Sequence, residues 1–270
     1  MGRHKGSSSE LVDPREAGPL NVDVAIGYAE LNAAWEDSVR PLRSRAGPLG
    51  VLFSAGVDSS LLAWELRHRS EVSLWTMGCE GSPDLSAGRR GAEFLGLPWT
   101  GIEVGPNDVR VALHRFSAEL QGLPSVATSV LLSLALAIEG ASPPLLVCGQ
   151  GVDELFLGYA HYRGLIGPEA EFRSRNDLDT LRSRDWPRTR AIADRAGKEI
   201  VAPYLAASFE RAARTVPIDL RLPGDTPKRF FRDWAGSRGL PAELSFRPKK
   251  ALQYGSGVAA LVRKIVGTPP

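Results

Sequence analysis

Short apolar runs alternate with amphipathic stretches along the first 160 residues of the chain. Short apolar runs are typical of strands buried on both faces of a sheet, whereas apolar residues three and four apart indicate helices. The predicted strands are Leu49–Phe53, Val72–Met77, Trp99–Val104 and Leu145–Cys148. The predicted helices are Val22–Val39, Asp58–His68, Leu85–Leu95, Asn107–Leu120, Val126–Glu139 and Asp153–Arg163. This alternation predicts an α/β fold, with a doubly wound parallel sheet flanked by helices.

The pattern changes after Gly164, where charged helical stretches replace the alternation. We expect helix within residues 169–196, a short extended piece at Ile200-Val201, and three later helices. The later helices are Leu205–Arg214, Lys228–Arg238 and Val258–Val266. We interpret residues 21–270 as one domain whose mostly helical C-terminal part packs on the sheet, and the polar residues 1–20 as a flexible tail.

Composition narrows the classes of function. The 270 residues carry a formal net charge of +2 and are 43% hydrophobic, which argues against a disordered chain and against a general nucleic-acid binder. The two cysteines, Cys79 and Cys148, form no metal-binding motif. The longest apolar stretch, 126–138, is shorter than the roughly 20 residues of a membrane span, and the N-terminus lacks a signal-peptide core. We therefore expect a cytoplasmic protein without a membrane partner.

The loop after the first predicted strand has the chemistry of an anion site. It reads Ser-Ala-Gly-Val-Asp-Ser-Ser over residues 54–60 and opens a helix. Small residues let backbone N–H groups approach an anion, and the helix N-terminus adds a favourable dipole. Asp58 would repel a phosphate unless a cation such as Mg²⁺ lies between them. An ordinary strand-to-helix turn with Ser and Asp caps explains the loop equally well.

Commoner motifs do not fit this loop. It lacks the Gly-Lys-Ser/Thr of a Walker A motif, and Leu52 stands where a nucleophile elbow has its first glycine. A second loop, residues 149–159, reads Gly-Gln-Gly-Val-Asp-Glu-Leu-Phe-Leu-Gly-Tyr, and Glu154 stands where a dinucleotide fingerprint has its third glycine. Its acidic pair is also explained by the helix dipole. Ligands of open α/β sheets bind beyond the strand ends where strand order reverses, and both loops follow strands.

Together, the two loops resemble those in the synthetase domain of asparagine synthetases. The family motifs are Ser-Gly-Gly-x-Asp-Ser-Ser, where Ala55 replaces one Gly, and a sequence close to Gly-Glu-Gly-x-Asp-Glu-x-Phe-x-Gly-Tyr. Gly81–Leu85 and the lysine-bearing Arg247–Lys250 match further family segments in the same order. The resemblance covers residues 45–257 and extends to β-lactam synthetases, within the PP-loop ATP-pyrophosphatase superfamily. It implies a PP-loop, HUP-like fold and the use of ATP.

The resemblance also implies roles for single residues. Asp58 and Asp153 would bind Mg²⁺, while Met77 and the backbone at Gly149 would contact adenine. Lys249 would neutralise charge on the α-phosphate of ATP as a carboxylate attacks it. The pyrophosphate would be held by Ser54, Ala55, Gly56, Asp58 and Ser59.

Two departures from the family pattern fall on the acyl-substrate side. Gln150 stands where asparagine synthetases carry a Glu that takes part in the chemistry beside the acyl-adenylate, so the implied catalytic set is Gln150, Asp153 and Lys249. Glutamine can hydrogen-bond but cannot act as a base. Ala206 replaces the Asp of the family's Val-Pro-Phe-Leu-Asp. We therefore expect ATP cleavage more firmly than asparagine as the product.

Four further basic residues cluster in the C-terminal sequence that leads to Lys249. They are Lys228, Arg229, Arg232 and Arg247. A basic wall of this kind suits a polyphosphate, although a solvated surface patch would have the same composition.

The implied reaction is AMP-forming ligation of a small carboxylate to ammonia or an amine. Glutamine-dependent relatives carry an N-terminal glutaminase domain with a catalytic Cys at residue 2, whereas residue 2 here is Gly2. We therefore expect ammonia or an amine from solution or from a separate protein. Two alternatives stay open. One is a nucleotide-binding regulatory protein with lost or altered catalysis, and the other is an RNA-modifying PP-loop enzyme, against which the missing Cys pair and basic tail argue.

Overall fold

Five short strands form one parallel sheet in this computed structural model, which describes residues 22–248 and 255–267. The strands are β1 (Leu49–Leu52), β2 (Val72–Gly78), β3 (Trp99–Glu103), β4 (Leu145–Val147) and β5 (Glu199–Val201). Their order is β3-β2-β1-β4-β5, so the chain builds outward from β1 on one side and then on the other. This is the predicted doubly wound α/β fold. The predicted tail, residues 1–20, lies outside the described residues.

Helices cover both faces of this sheet. They are α1 (Val22–Ser44), α2 (Val57–Leu66), α3 (Pro83–Leu95), α4 (Pro106–Arg115), α5 (Ser117–Leu120), α6 (Ser125–Gly140), α7 (Val152–Leu155), α8 (Gly167–Thr180), α9 (Trp186–Arg195), α10 (Ala207–Thr215), α11 (Ile218–Arg221), α12 (Arg229–Ser237), α13 (Ala242–Ser245) and α14 (Val258–Val266). Within the described ranges, every helix is too short or too polar to cross a membrane.

Alternate residues of the strands feed two separate cores, because successive side chains of a strand point to opposite faces. Leu145 and Val147 of β4 pack into the core under α1, α2, α10 and α12. Leu146, between them, packs into the core under α4, α6, α9 and α14. The continuous apolar character of the predicted strands therefore follows from burial on both faces.

Two predicted helices are wrong in their extent. The stretch Asn107–Leu120 divides into α4 and α5, because Phe116 leaves helical geometry while its ring is buried in the core. The stretch Asp153–Arg163 contains only α7 and a 3-10 turn, Ala160–Tyr162. Leu157 there adopts a left-handed φ of 54°, which ends a helix.

Helix α12 packs against α2 and is tied to it near both ends. At the start of α12, Lys228 contacts Asp58 in the first turn of α2. At its other end, Arg238 contacts Glu65 in the last turn of α2, with Nε lying 2.6 Å from Oε1. The mostly helical C-terminal part therefore reaches the strand ends where the two predicted site loops lie.

Candidate active site

The two loops meet at the carboxyl edge of the sheet, because β1 and β4 are neighbouring strands. The contact is close: a Cβ placed on Gly149 would lie 2.9 Å from the Cβ of Asp58 and 3.3 Å from its carbonyl carbon. Only glycine lets the second loop approach the first this closely. The strand order reverses between β1 and β4, so the loops occupy the crevice where ligands of this fold class bind.

The first loop is folded tightly on its own hydroxyl groups. The Ser54 amide donates to Ser59 Oγ at 3.2 Å, and Ser59 Oγ donates to the Gly56 carbonyl at 3.2 Å. Ala55 has a left-handed φ of 52°, a conformation that costs an L-residue roughly 1–2 kcal/mol. The family motif has glycine where Ala55 stands, and here an alanine occupies this left-handed position.

Arg247 holds this loop from the C-terminal part of the chain. Its Nε donates to the Ala55 carbonyl at 2.6 Å and its Nη2 donates to the Ser54 carbonyl at 2.8 Å. Both carbonyl groups are therefore turned toward a guanidinium. Lys249, two residues further on, lies outside the described residues, but Arg247 brings the chain that leads to it against the first loop.

A buried lysine joins the predicted carboxylates. Lys228 Nζ lies 2.8 Å from both carboxylate oxygens of Asp58 and 2.8 Å from Oδ1 of Asp153. The side chain of Lys228 is 8% exposed and that of Asp58 is 7% exposed. Burial opposes the charge of Lys228, but Asp153 and Asp58 outweigh it and raise the pKa of the ammonium above its ordinary value. The three groups form an ion triad with a formal charge of −1.

The backbone around this triad is fitted to it. A Cβ placed on Gly158 would lie 1.9 Å from Oδ1 of Asp153, so a side chain there would displace the carboxylate. Tyr204, stacked on Trp35 at 4.8 Å, donates its hydroxyl to the Asp58 carbonyl at 2.8 Å. The loop that carries Asp58 is therefore anchored to the hydrophobic core.

A second carboxylic acid lies beside the triad. Glu154 is buried and accepts a hydrogen bond from Tyr159 Oη at 2.7 Å. Burial, with the neighbouring charge of Asp153, raises the pKa of Glu154 to about 7. The sequence had offered only a helix-dipole role for this residue, whereas the structure gives it a buried, hydrogen-bonded side chain.

The remaining predicted residues lie at different depths around the site. Gln150 is half-buried, and its buried Oε1 has no hydrogen-bond partner within the described part of the chain. Met77 is buried in the core at the carboxyl end of β2. Ala206 lines a cavity of about 790 Å³ beside β5. The structure thus brings Asp58, Asp153 and Gly149 into contact but keeps Met77 inside the core.

The predicted basic wall is only partly present. Lys228 and Arg247 contact the loops, but Arg229 lies on the surface and pairs with Asp233 at 2.7 Å. Arg232 supports the chain instead, since it donates to the carbonyls of Pro227 and Ser245. Sequence reasoning missed these separate roles because neighbouring residues of one helix face in different directions.

The carboxylate pair fits a divalent ion that a nucleotide shares. Asp58 and Asp153 already converge on one cationic atom, and carboxylate oxygens are the ligands that Mg²⁺ prefers. Over residues 22–248 and 255–267, no group of three or more His, Cys, Asp or Glu side chains could hold a metal ion. Asp58 and Asp153 are the side chains that could hold such an ion.

Comparisons of the sequence with a family model and with known proteins point to the same family. The sequence model described as asparagine synthase matches residues 30–195. An asparagine synthetase [glutamine-hydrolyzing] from Gallus gallus is 26% identical over 257 residues, which cover 90% of this chain and 46% of that protein. A putative asparagine synthetase [glutamine-hydrolyzing] 1 from Methanocaldococcus jannaschii is 25% identical over 274 residues, covering 87% of this chain and 50% of that protein. The chain spans about half the length of these relatives.

Among solved structures, an NH3-dependent NAD synthetase from Campylobacter jejuni is similar with a TM-score of 0.34 and 16% identity, over 76% of this chain and 98% of that one. The family match covers more than half of the chain and includes both loops. On that match, the chain belongs to the asparagine synthase family.

Proposed function

We propose that the protein is an AMP-forming carbon–nitrogen ligase that adenylates a small carboxylate with ATP and transfers it to ammonia or an amine. The observation that carries this proposal is the convergence of Asp58 and Asp153, from two loops, on one cation at the carboxyl edge of the sheet. Membership of the asparagine synthase family supports the use of ATP.

In the first step, a carboxylate oxygen of the substrate attacks the α-phosphorus of ATP, the bond to the bridging oxygen breaks, and pyrophosphate leaves. The amides and hydroxyls of residues 54–60 would bind the pyrophosphate, and Lys249 would face the α-phosphate. Asp58 and Asp153 would hold Mg²⁺, which screens phosphate charge when bound. Arg247 would position the first loop for this step, because it donates hydrogen bonds to the carbonyls of Ser54 and Ala55.

In the second step, the amine nitrogen attacks the acyl carbon, the bond to the AMP oxygen breaks, and the nitrogen loses a proton. Gln150 can hydrogen-bond beside the acyl group but cannot accept that proton. That proton would therefore pass to a base other than Gln150. A separate ammonia-supplying protein and a cytoplasmic location stay predictions.

The test is release of pyrophosphate from ATP and Mg²⁺ with a panel of carboxylic acids, each with ammonia or an amine. One acid should raise the rate well above the rate without acid. Asp153→Asn should lower that rate by about 100-fold, since it removes charge that acts on the transition state. Asp179→Asn, the same change at an exposed position of α8, should leave it unchanged. Failure of every acid to raise the rate would contradict the proposal.

Gln150 and Ala206 favour one second candidate, a nucleotide-binding regulatory protein without turnover. Equilibrium dialysis with ATP and Mg²⁺ separates the two functions. Tight binding of ATP without pyrophosphate release, both in the native protein and in Gln150→Glu, would support the regulatory function. Acid-dependent turnover in the native protein would eliminate it.

A further inference from the structure

A buried ammonium group, that of Lys228, lies between the carboxylates of the site. Its ammonium has three N–H donors, and three carboxylate oxygens lie 2.8 Å away, two from Asp58 and one from Asp153. These are the same two side chains that fit a divalent ion. The lysine therefore stands where a metal bridging the two loops would stand.

We propose that Lys228 is an exchangeable resident cation, which holds the metal position while no nucleotide is bound and makes divalent-ion binding depend on the nucleotide. This inference rests on the proposed function, because it assumes that the two carboxylates are the metal ligands. It assigns Lys228 a positioning role in the free protein, in which the ammonium keeps both loops in register.

Charge balance gives the physical reason. With Lys228 in place, a divalent ion would change the formal charge of the triad from −1 to +1, with Lys228 and Asp58 buried and Asp153 33% exposed. It would also compete for oxygens that already accept hydrogen bonds. A buried excess charge is costly unless it is compensated. The phosphates of ATP bring that compensation, so ion and nucleotide enter together. Without the lysine, the two carboxylates carry −2, which a divalent ion matches.

The choice and placement of the side chain suit an exchange. Lysine is a compact charge on a flexible four-carbon stem, whereas arginine binds carboxylates through a rigid planar fork. Lys228 has a left-handed φ of 58° and caps the first turn of α12, with its carbonyl accepting from the Arg232 amide. Its side chain therefore leaves the chain ahead of the helix, and displacement of the ammonium would break no backbone hydrogen bond of α12.

The test measures Mn²⁺ binding to the full chain by electron paramagnetic resonance, first without nucleotide. Lys228→Met should bind Mn²⁺ at least tenfold more tightly than the native protein. Lys264→Met, the same change at an exposed position of α14, should match the native protein. Equal Mn²⁺ affinity in Lys228→Met and the native protein would overturn the proposal.

Loss of the lysine also lowers stability, so a folding readout accompanies the binding measurement. Mn²⁺ should raise the melting temperature of Lys228→Met by several degrees and leave that of the native protein unchanged. Lys228→Gln, which keeps a hydrogen-bond donor, should show the same gain in Mn²⁺ affinity. Failure of Mn²⁺ to bind or stabilise both variants would count against the exchange.

A nonhydrolysable ATP analogue completes the design. In the native protein it should raise Mn²⁺ affinity at least tenfold, whereas Lys228→Met should gain less because its site is already open. The outcome is separable from the proposed function. Acid-dependent pyrophosphate release with no Mn²⁺ response in Lys228→Met would refute only the exchange, and the Mn²⁺ response without turnover would refute only the ligase.

Discussion

The two ends of α2 hold ion networks of different kinds, although α12 supplies a cation to each. At the N-terminal end, one lysine, Lys228, serves two carboxylates, Asp58 and Asp153. At the other end, two arginines face two glutamates: Glu65 and Arg238 meet at 2.6 Å, and Arg43 and Glu36 complete the group. Counting the groups in direct contact, the second network is neutral and held by planar guanidinium groups. The first has one lysine and an excess negative charge, and Arg232 lies close enough to interact with both of its carboxylates.

Under the proposed function, this difference separates a structural network from one that would accept a ligand. A balanced arginine–carboxylate group satisfies its charges and fixes geometry through paired hydrogen bonds. An unbalanced lysine–carboxylate group leaves negative charge, which a metal ion bound together with a nucleotide would compensate under the proposed function. Burial does not distinguish the two, because Asp58 and Glu65 have side-chain exposures of 7% and 8%. Charge balance and the type of cation do.

The largest expected effect on the free energy of unfolding comes from Lys228, at the N-terminal end of α2. In the presence of EDTA, Lys228→Met should lower the free energy of unfolding by about 3 kcal/mol, because it leaves two carboxylates near each other without a cation. Adding Asp58→Asn should recover most of that loss, since one charge is then removed with its partner. Urea unfolding of the two single variants and the double variant measures the coupling. Additive losses would show that the triad is not an energetic unit.

The matched substitution at the C-terminal end of α2 should have a smaller effect, which should be limited to stability. Arg238→Met should cost about 2 kcal/mol by urea unfolding, because Arg43 remains beside Glu65 to compensate its charge. Mn²⁺ and ATP affinities should equal those of the native protein. An altered metal affinity in Arg238→Met would remove the distinction between the two networks.

A third substitution tests whether Arg247, in the C-terminal part of the chain, stabilises the first loop for ATP binding. Arg247→Gln should weaken ATP binding about tenfold, or about 1.4 kcal/mol, because the carbonyls of Ser54 and Ala55 lose their donors. Calorimetric titration with ATP and Mg²⁺ gives the value. Arg229→Gln is the control, since Arg229 lies on the surface. Equal ATP affinity in both variants would show that the loop keeps its shape unaided.

The smallest expected effect is a pH dependence of stability that arises from Glu36, in the arginine network at the C-terminal end of α2. The hydrogen bond from Arg43, opposed in part by burial, lowers the pKa of Glu36 below its ordinary 4.5. The contribution of Glu36 is therefore present above pH 4.5 and is lost as pH falls through the lowered pKa. Glu36→Gln should cost only about 0.5 kcal/mol at pH 7, because solvent screens this side chain.

Urea unfolding at pH 6 and at pH 3.5 checks the sign of that dependence. The difference between the native protein and Glu36→Gln should shrink at the lower pH. A difference that grows toward low pH would mean that Glu36 opposes folding as a carboxylate.

The sequence predicts the sheet and its two loops because their signals are local. Strand-sized apolar runs, and small or acidic residues directly after them, are enough to place Asp58 and Asp153 at one edge. The strand order then brings these loops together. The same reasoning misplaces the end of the helix after Asp153, because a left-handed residue, Leu157, interrupts a pattern that reads as helical.

The partner of those carboxylates is not predictable in this way. Lys228 is separated from Asp58 by 170 positions, and their contact depends on how α12 packs on α2. Lys228 and Arg229 are neighbours in the chain, yet one is buried in the site and the other is exposed. Only the packing distinguishes them, so the composition of the cluster overstated the basic wall. The cation-bearing part also lies beyond residues 30–195, the part that matches the family.

The close approach of Gly149 to Asp58 has a consequence for how this site can change in evolution. Gly149 and Asp58 are separated by 91 positions in the sequence, yet any side chain at residue 149 would press on Asp58. A substitution in the second loop is therefore tolerated only when the first loop shifts with it. Gln150, one position away, is free of this constraint in the second loop's contact with Asp58, whereas a change at residue 149 requires a matching change in the first loop.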